Sequence, residues 1–170
     1  MSPVKTKKAS AGFTLIEVVL IVGIVGILMV ASYPSIINTL ETRALENAAR
    51  EVQMSLQQAK MQSVRERINH RIRFDNSQGF WLVRLERETS AGVWATVPGT
   101  VPKRINELYV VIANVPTRTV EFSPVGVVTN YSSTQRTISL QSLKLRDKSA
   151  ASLRVINIFA GGTFEYVKSF

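Results

Sequence analysis

The sequence predicts an α+β protein in which one long N-terminal helix packs on an antiparallel, β-sandwich-like globular domain. Residues 13–33 form an apolar run with a single charged residue, and residues 35–66 continue it with an amphipathic helical pattern. After Ile68 the hydrophobic period changes to two, and turn residues recur between short segments. The chain has no cysteine, which excludes disulfides and cysteine-ligated metal sites.

The first element is the apolar run, in which Glu17 is the one charged residue. A helix over residues 13–33 would be about 31 Å long, which matches the hydrocarbon core of a membrane. Lys5, Lys7 and Lys8 precede it and predict a cytoplasmic amino end. A cleaved signal peptide and a plain single-pass anchor are two alternatives. Neither explains Glu17, because a carboxylate within a membrane span costs about 2.5–3.5 kcal/mol.

The segment GFTLIE, residues 12–17, offers an explanation for this glutamate. With the basic stretch before it and the apolar run after it, the segment resembles the class III leader of type IV pilins and pseudopilins. The resemblance implies a leader over residues 1–12, cleavage after Gly12 by a prepilin peptidase, and N-methylation of the new terminus at Phe13. It also implies that Glu17 pairs with the terminus of a neighbouring subunit and sets the stagger between subunits.

Electrostatics independently indicates that Glu17 needs a cation. Cleavage would create an ammonium at Phe13, and a spacing of four residues places the two groups on one helical face. A buried carboxylate is tolerated where it meets an opposite charge. Gly23 and Gly26 would allow close approach of neighbouring helices. Pro34 is expected to kink the helix or to break its hydrogen bonding locally.

The second half of the helix, residues 35–68, is predicted to pack one side on the globular domain. Met54 and Met61 are interpreted as packing residues. The predicted apolar stripe comprises Leu45, Ala48, Val52, Leu56, Ala59 and Ser63.

Residues 69–170 form the predicted β-rich domain. A polar turn at residues 75–79 would close a first hairpin, and residues 97–104, with two prolines and a glycine, are predicted to form a surface loop. Residues 13–34 are the predicted transmembrane or filament-core part of the helix. Strands are predicted over residues 70–74, 80–88, 93–97, 109–113, 119–122, 125–129, 137–142, 152–159 and 163–167.

The late part of the chain shows a second, less specific resemblance. TVEFSPVG at residues 119–126 is followed by a strand at 137–140, by LRVINI at 153–158 and by a glycine turn. This order is similar to the globular domain of GspH/FimT-type minor pseudopilins. It implies a structural or initiating subunit of a type IV pilus or of a type II secretion pseudopilus.

The two resemblances together imply the partners and the location of the protein. The partners would be the prepilin peptidase, other pilins or pseudopilins in a filament, and an inner-membrane assembly platform. The chain would cross the inner membrane once, with a periplasmic C-terminal domain, and would enter a periplasmic or cell-surface filament after assembly. An ordinary membrane-anchored binding domain unrelated to filaments is the remaining alternative.

The net charge of +9 raises a further alternative, a DNA-binding minor pilin for uptake in natural transformation. FimT-like members linked to DNA capture have Gly-Arg-x-Arg near the C-terminus, whereas Gly162 here precedes Thr-Phe-Glu. The basic surface also fits a solubility feature or contacts with acidic neighbouring subunits. The candidate anion or DNA contacts are Arg71, Arg73, Arg136, Lys144, Arg146, Lys148 and Arg154.

No catalytic pattern is present, and the sequence predicts a protein that is not an enzyme and has no cofactor or metal. The single histidine, His70, is interpreted as a surface side chain. Glu86 and Glu88 alternate on one strand and suggest a solvated sheet face rather than an acid/base pair. Residues 75–77 suggest a turn, because the spacing of a calcium-binding loop is missing.

Overall fold

The computed structural model describes residues 13–145 and 152–169, so the predicted leader 1–12 and the candidates Arg146 and Lys148 lie outside the described residues. The chain divides into two units at Asn38 and Thr39. The described elements are α1 (Leu15–Glu66), β1 (His70–Asp75), β2 (Leu82–Ser90), β3 (Val93–Thr96), β4 (Lys103–Arg104), β5 (Tyr109–Asn114), β6 (Thr119–Phe122), β7 (Thr137–Ser142), β8 (Leu153–Ile158) and β9 (Phe164–Ser169). A short 3₁₀ turn, Pro116–Arg118, precedes β6.

In the first unit, the described chain consists of the start of α1 and the two residues before it. Pro34 lies inside α1, and the helix is continuous on both sides of it. Proline has no N–H, so this position removes one helical hydrogen bond, but the loss does not end the helix. The Ser32 hydroxyl donates a hydrogen bond to the carbonyl oxygen of Leu28 at 2.8 Å.

In the second unit, one face of α1 is buried, as the apolar stripe predicted. Ala49 is fully buried where the prediction chose Ala48, which is half-buried. The interpretation of Met54 and Met61 as packing residues is wrong, because they are 56% and 72% exposed. Met54 precedes the buried Leu56 by two positions, about 200° around the helix, and therefore points away from the core. The buried residues of α1 are Leu45, Ala49, Val52, Ser55, Leu56, Ala59 and Ser63.

Two antiparallel sheets pack with this half of α1. The first sheet has the order β3-β2-β1-β6, with β4 also paired to β2, and the second has the order β5-β7-β8-β9. In the first sheet Ile72 of β1 pairs with Leu85 of β2 and Val120 of β6. Inward side chains of both sheets and of α1 form one hydrophobic core, with Phe74, Phe122, Ile138 and Leu140 among its largest fully or nearly fully buried members. The predicted fold class is confirmed.

The structure corrects two local predictions of strand and loop. Residues 125–129 form a turn and an irregular segment with a single bridge from Val128 to Phe122, instead of a strand. Gly126 in this segment has φ = +81°, a left-handed conformation that interrupts extended backbone. Conversely, the predicted loop over 97–104 contains β4, whose two residues pair with β2.

The interpretation of His70 as a surface side chain is also wrong. Positions 70, 72 and 74 of β1 all point inward, and His70 is fully buried. Its Nδ1 lies 3.2 Å from the carbonyl oxygen of Ile68, and its Nε2 lies 3.4 Å from Oε2 of Glu66. The histidine therefore fills space where the end of α1 meets β1.

Two glycine turns meet beside Lys60 of α1. The Lys60 ammonium donates a hydrogen bond to the carbonyl oxygen of Gly162 at 2.8 Å. Gly162 has φ = +68°, and a Cβ atom added there would lie 2.3 Å from the carbonyl oxygen of Gly126. Only glycine fits at position 162 without moving the backbone.

Candidate functional site

The start of α1 positions Glu17, the first candidate functional side chain. Thr14 precedes the helix, and its Oγ1 accepts a hydrogen bond from the backbone N–H of Glu17 at 3.3 Å. Thr14 and Glu17 thus have the spacing of a capping box, in which a threonine caps the helix and a glutamate occupies its third position. Sequence reasoning missed this second role, although the pattern T-x-x-E was visible. The partial positive charge of the helix N-terminus also favours a carboxylate here.

Phe13 lies before α1, which begins at Leu15. The spacing of four residues therefore does not place Phe13 and Glu17 on one helical face in this conformation. Phe13 is 75% exposed, while Gly12 lies outside the described residues. A bond between residues 12 and 13 is thus next to an exposed side chain and a capped helix start.

Glu17 differs from the other glutamates of α1 in its surroundings. Glu41, Glu46, Glu51 and Glu66 each have a basic side chain within 4 Å. Within residues 13–145 and 152–169, no basic side chain lies within ion-pair distance of Glu17. Its carboxylate is available for a cation that these residues do not supply.

The apolar run that follows Glu17 is exposed. In the described part of the chain, α1 is the one helix whose length and composition would allow it to cross a membrane. A Cβ atom added at Gly23 or Gly26 would meet nothing within 4 Å. The surface at both glycines is therefore open to a lipid chain or to another helix.

Arg71, the first candidate contact, is largely neutralised on the outer face of the first sheet. Arg71 Nε lies 2.6 Å from Oε2 of Glu86, and its Nη1 lies 3.5 Å from Oε1 of Glu121. Its guanidinium also stacks 4.3 Å above the ring of Trp94. Arg73, the next candidate, shares this outer face and is exposed, so it is more accessible than Arg71.

Arginine–aromatic stacking recurs around the first sheet. Arg104 lies 4.0 Å from the ring centre of Phe80, and Arg118 lies 5.8 Å from that of Trp81. Sequence reasoning missed these pairs, because each joins residues from different segments. Such stacking holds a guanidinium in a defined place while leaving part of it exposed.

The candidates Lys144 and Arg154 pair with carboxylates of α1. Lys144 Nζ lies 2.6 Å from Oε1 of Glu41. Glu46 Oε1 lies 3.4 Å from Nη2 of Arg154 and 2.6 Å from Nζ of Lys168. Arg154 is only 2% exposed, so its guanidinium is not presented to an anion in solution, which corrects its assignment as a candidate contact. Lys168 was not among the candidates, because nothing local to it indicates Glu46.

Arg136 is the remaining described candidate, and it is exposed. Its guanidinium lies 5.8 Å from the ring centre of Phe159. The structure therefore does not bring the five candidates that it describes into one free cluster. Arg73 and Arg136 are the described members that remain exposed without an ion pair.

The pKa values of two carboxyl groups, those of Glu46 and Asp75, are lowered by the groups that hydrogen-bond to them. The hydrogen bond from Lys168, helped by the nearby Arg154 charge, lowers the pKa of Glu46. The backbone N–H of Ser77 donates to Asp75 at 2.9 Å and lowers the pKa of that carboxyl. Asp75 thus stabilises the hairpin turn. In the described ranges, no group of three or more His, Cys, Asp or Glu residues is placed to hold a metal ion.

In a comparison with family models, residues 7–33 match the prokaryotic N-terminal methylation motif. The match supports a type IV pilin-like chain that a prepilin peptidase processes, that assembles with other pilins and that is anchored in a membrane. It covers the N-terminal segment alone and is silent on the globular domain. Comparisons with curated proteins and with solved structures gave no match.

Proposed function

We propose that the protein is a minor pilin or pseudopilin of the GspH/FimT type, a structural or initiating subunit of a type IV pilus or type II secretion pseudopilus. The observation that supports this most directly is the methylation motif around Glu17, a carboxylate with no described basic partner at the start of an exposed apolar helix. The protein would act by assembly rather than by catalysis.

Processing would supply the cation that Glu17 needs. Cleavage after Gly12 would leave an ammonium at Phe13, which is exposed and next to the capped helix start. In a filament the ammonium of one subunit would meet Glu17 of its neighbour. Such an ion pair in an apolar environment is favourable only at one relative position of the two helices. Sliding one helix along the other would leave both charges buried without a partner. The pair would therefore fix the stagger between subunits.

The apolar half of α1 would serve first as a membrane anchor and then as filament packing. Both surroundings are apolar, so moving the exposed side chains from one to the other changes little hydrophobic free energy. The basic residues before Gly12 would remain cytoplasmic, with the β-rich domain in the periplasm. The inner-membrane assembly platform would move the mature chain into the filament.

A pair of variants separates charge pairing from helix capping at Glu17. Glu17→Gln keeps a side chain that can complete the capping box but removes the charge. We expect Glu17→Gln to lose incorporation into filaments as fully as Glu17→Ala, measured by immunoblotting sheared filaments against total membranes. Thr14→Ala weakens the cap, keeps the charge and should still be incorporated.

The outcome that would refute this role is incorporation of Glu17→Gln at the wild-type level. Mass spectrometry of the mature chain provides the second test. It should show an N-methylated phenylalanine derived from Phe13, and a different N-terminus would contradict the proposed processing.

The alternative, a DNA-binding minor pilin, is supported by the exposed Arg73 and Arg136. It is weakened because Arg71, Lys144 and Arg154 are engaged by carboxylates. A gel shift with the full chain in detergent micelles would test it at two salt concentrations. DNA binding should appear at low salt and decrease steeply as salt rises, whereas absence of a shift at low salt would remove this alternative.

A further inference from the structure

The second sheet ends at β5, and one side of this strand is unpaired. The backbone N–H of Leu143 donates to the carbonyl oxygen of Leu108 at 3.0 Å, one step beyond the first pair of the β5–β7 register. Because hydrogen-bonded and non-hydrogen-bonded pairs alternate in an antiparallel ladder, the even positions of β5 bond to β7. The N–H and C=O groups of Val111 and Ala113 therefore point to the other side, where no backbone group of residues 13–145 and 152–169 bonds to them. We call this side of β5, residues 109–114, the open edge.

The other edge strands of the two sheets are protected from pairing. The outer side of β6 is occupied, because Thr129 donates its N–H to the carbonyl oxygen of Glu121 at 2.9 Å and the Asn130 side chain bonds to two further backbone groups of β6. β3 and β4 have only four and two residues, and β9 includes Glu165 and Lys168. Coverage, short length and charge are the means by which proteins keep sheet edges from pairing. β5 has six residues, YVVIAN, with no charge and no proline.

The outward face of β5 is apolar as well. The even positions of the strand point outward, and Val110 and Ile112 are 37% and 53% exposed. Leu108 and Leu143, at the start of the strand, are 36% and 47% exposed. Exposed apolar side chains are grouped here beside unpaired backbone groups, and both features are typical of a surface that binds another polypeptide.

The chemistry of the open edge specifies its partner. Free N–H and C=O groups on alternate residues are matched by another extended strand, and the outward side chains of Val110 and Ile112 favour apolar neighbours. β5 itself is such a strand, since it is uncharged and apolar on the same face. A second copy of the chain therefore supplies the matching strand. The net charge of +9 opposes this contact only weakly, because charges more than about 8 Å apart are largely screened at physiological ionic strength and β5 has none.

We propose that two copies of this chain associate through their open edges, with β5 antiparallel to β5 of the second copy. Val111 of each strand pairs with Ala113 of the other, so that every free N–H and C=O group of these residues is used. This register places Ile112 on the two-fold axis, and the same residues meet from both sides. The contact joins two four-stranded sheets into one continuous sheet. The inference concerns the β-rich domain and does not depend on the filament role.

Because the chain has no cysteine, single cysteine variants of the full chain in detergent micelles test this register directly. Ile112→Cys should form a disulfide-linked dimer on mild oxidation, because its Cα atom would lie about 4.5 Å from that of the second copy. Val110→Cys, on the same face, is the matched control. Its yield should be lower by about tenfold or more, because the two cysteines would be about 13 Å apart along the strands, whereas a disulfide spans at most about 7 Å between Cα atoms. Mixing Val110→Cys with Asn114→Cys should restore the dimer, because these two positions oppose each other.

Any of three results would overturn the inference: no dimer from Ile112→Cys, a similar yield from Val110→Cys alone, or no dimer from the mixture with Asn114→Cys. Association through the apolar half of α1 would not produce the expected pattern, because it does not distinguish these positions. All three side chains are exposed, so the reduced variants should keep the wild-type Tm.

A second variant tests the backbone pairing itself. Ala113→Pro, added to Ile112→Cys, removes an N–H that faces the open edge and leaves the ladder with β7 intact. The dimer yield should decrease about tenfold, equivalent to about 1.4 kcal/mol. An unchanged yield would show that the strands do not pair through this edge.

Discussion

Replacing Glu46 by glutamine would test the ion-pair network that joins α1 to the second sheet. The substitution keeps the size of the side chain but removes the carboxylate that Lys168 and Arg154 share, and Arg154 is only 2% exposed. Removing one partner of a buried ion pair costs about 3–5 kcal/mol. Glu46 is 20% exposed and Arg154 also donates to the carbonyl oxygen of Leu153 at 2.9 Å, so we expect about 3 kcal/mol, the lower end of that range.

The assay is thermal unfolding of the full chain in detergent micelles, followed by circular dichroism. For a domain of this size, 3 kcal/mol corresponds to a decrease in Tm of about 10 °C. Glu51→Gln is the matched control, because Glu51 lies 3.7 Å from Lys103 and is 52% exposed. An exposed pair of this kind contributes about 0–1 kcal/mol. Equal effects of the two substitutions, or a loss below 1 kcal/mol for Glu46→Gln, would refute the importance of burial.

The stabilisation that Glu46 provides should depend on pH, and the lowered pKa of Glu46 gives the sign of that dependence. Because the pKa of Glu46 is lowered from its ordinary value of 4.5 in the folded protein, the ion pair stabilises the fold fully above that value. This contribution is lost as the pH falls through the lowered pKa. The difference in Tm between wild type and Glu46→Gln should therefore be constant near neutral pH and should shrink in acid below pH 4.5. A difference that does not change with pH would show that the carboxylate charge is not its origin.

Two further substitutions test local features of the fold by the same thermal unfolding assay. Gly162→Ala should destabilise the protein by about 2 kcal/mol or more, because the new Cβ would lie 2.3 Å from the carbonyl oxygen of Gly126 and the φ of residue 162 is positive. Gly161→Ala is the control: a Cβ there would meet nothing within 4 Å, so the loss of stability should be below about 1 kcal/mol. Equal losses for the two variants would contradict the steric argument. Asn130→Ala should cost about 1–3 kcal/mol, because the Asn130 amide accepts from a backbone N–H and donates to a backbone carbonyl of β6, each at 3.0 Å. Asn114→Ala is the control, because Asn114 is exposed and its side chain donates a long hydrogen bond of 3.4 Å to the carbonyl oxygen of Thr134. An Asn130→Ala variant as stable as the wild type would show that water replaces the amide.

Helices and strands that are encoded by a pattern of neighbouring residues could be predicted from the sequence. The apolar run, the stripe ending at Ser63 and the alternation in β6 and β7 are all patterns of neighbouring residues, and the structure has helix and strands there. The strand predicted over residues 125–129 was wrong. The valines there favour a strand, but Gly126 adopts a left-handed conformation within a turn. The prediction that His70 lies on the surface was wrong because its inward direction depends on which face of β1 is buried. The polar residues next to His70 give no indication of that face.

The candidate site was predictable only where it is a linear motif. Gly12, Phe13 and Glu17 form a continuous pattern, and their roles in processing and assembly stay predictions. The partners of Glu46 are Arg154 and Lys168, more than 100 positions later, and no spacing rule connects them. Basic residues that looked like a free surface in the sequence are in part the counterions of α1.

This distribution of charge separates the two kinds of glutamate on α1 and links stability to assembly. In the second unit Glu41, Glu46 and Glu51 are each paired with a lysine of the β-rich domain, so their charges are compensated within the chain. Glu17 has no such partner among the described residues. Its carboxylate is therefore a group that a neighbouring chain can pair. Substitutions at Glu46 should act on stability and leave the mature N-terminus unchanged, whereas Glu17→Gln, which keeps a side chain able to complete the cap, should act on assembly and leave Tm nearly unchanged.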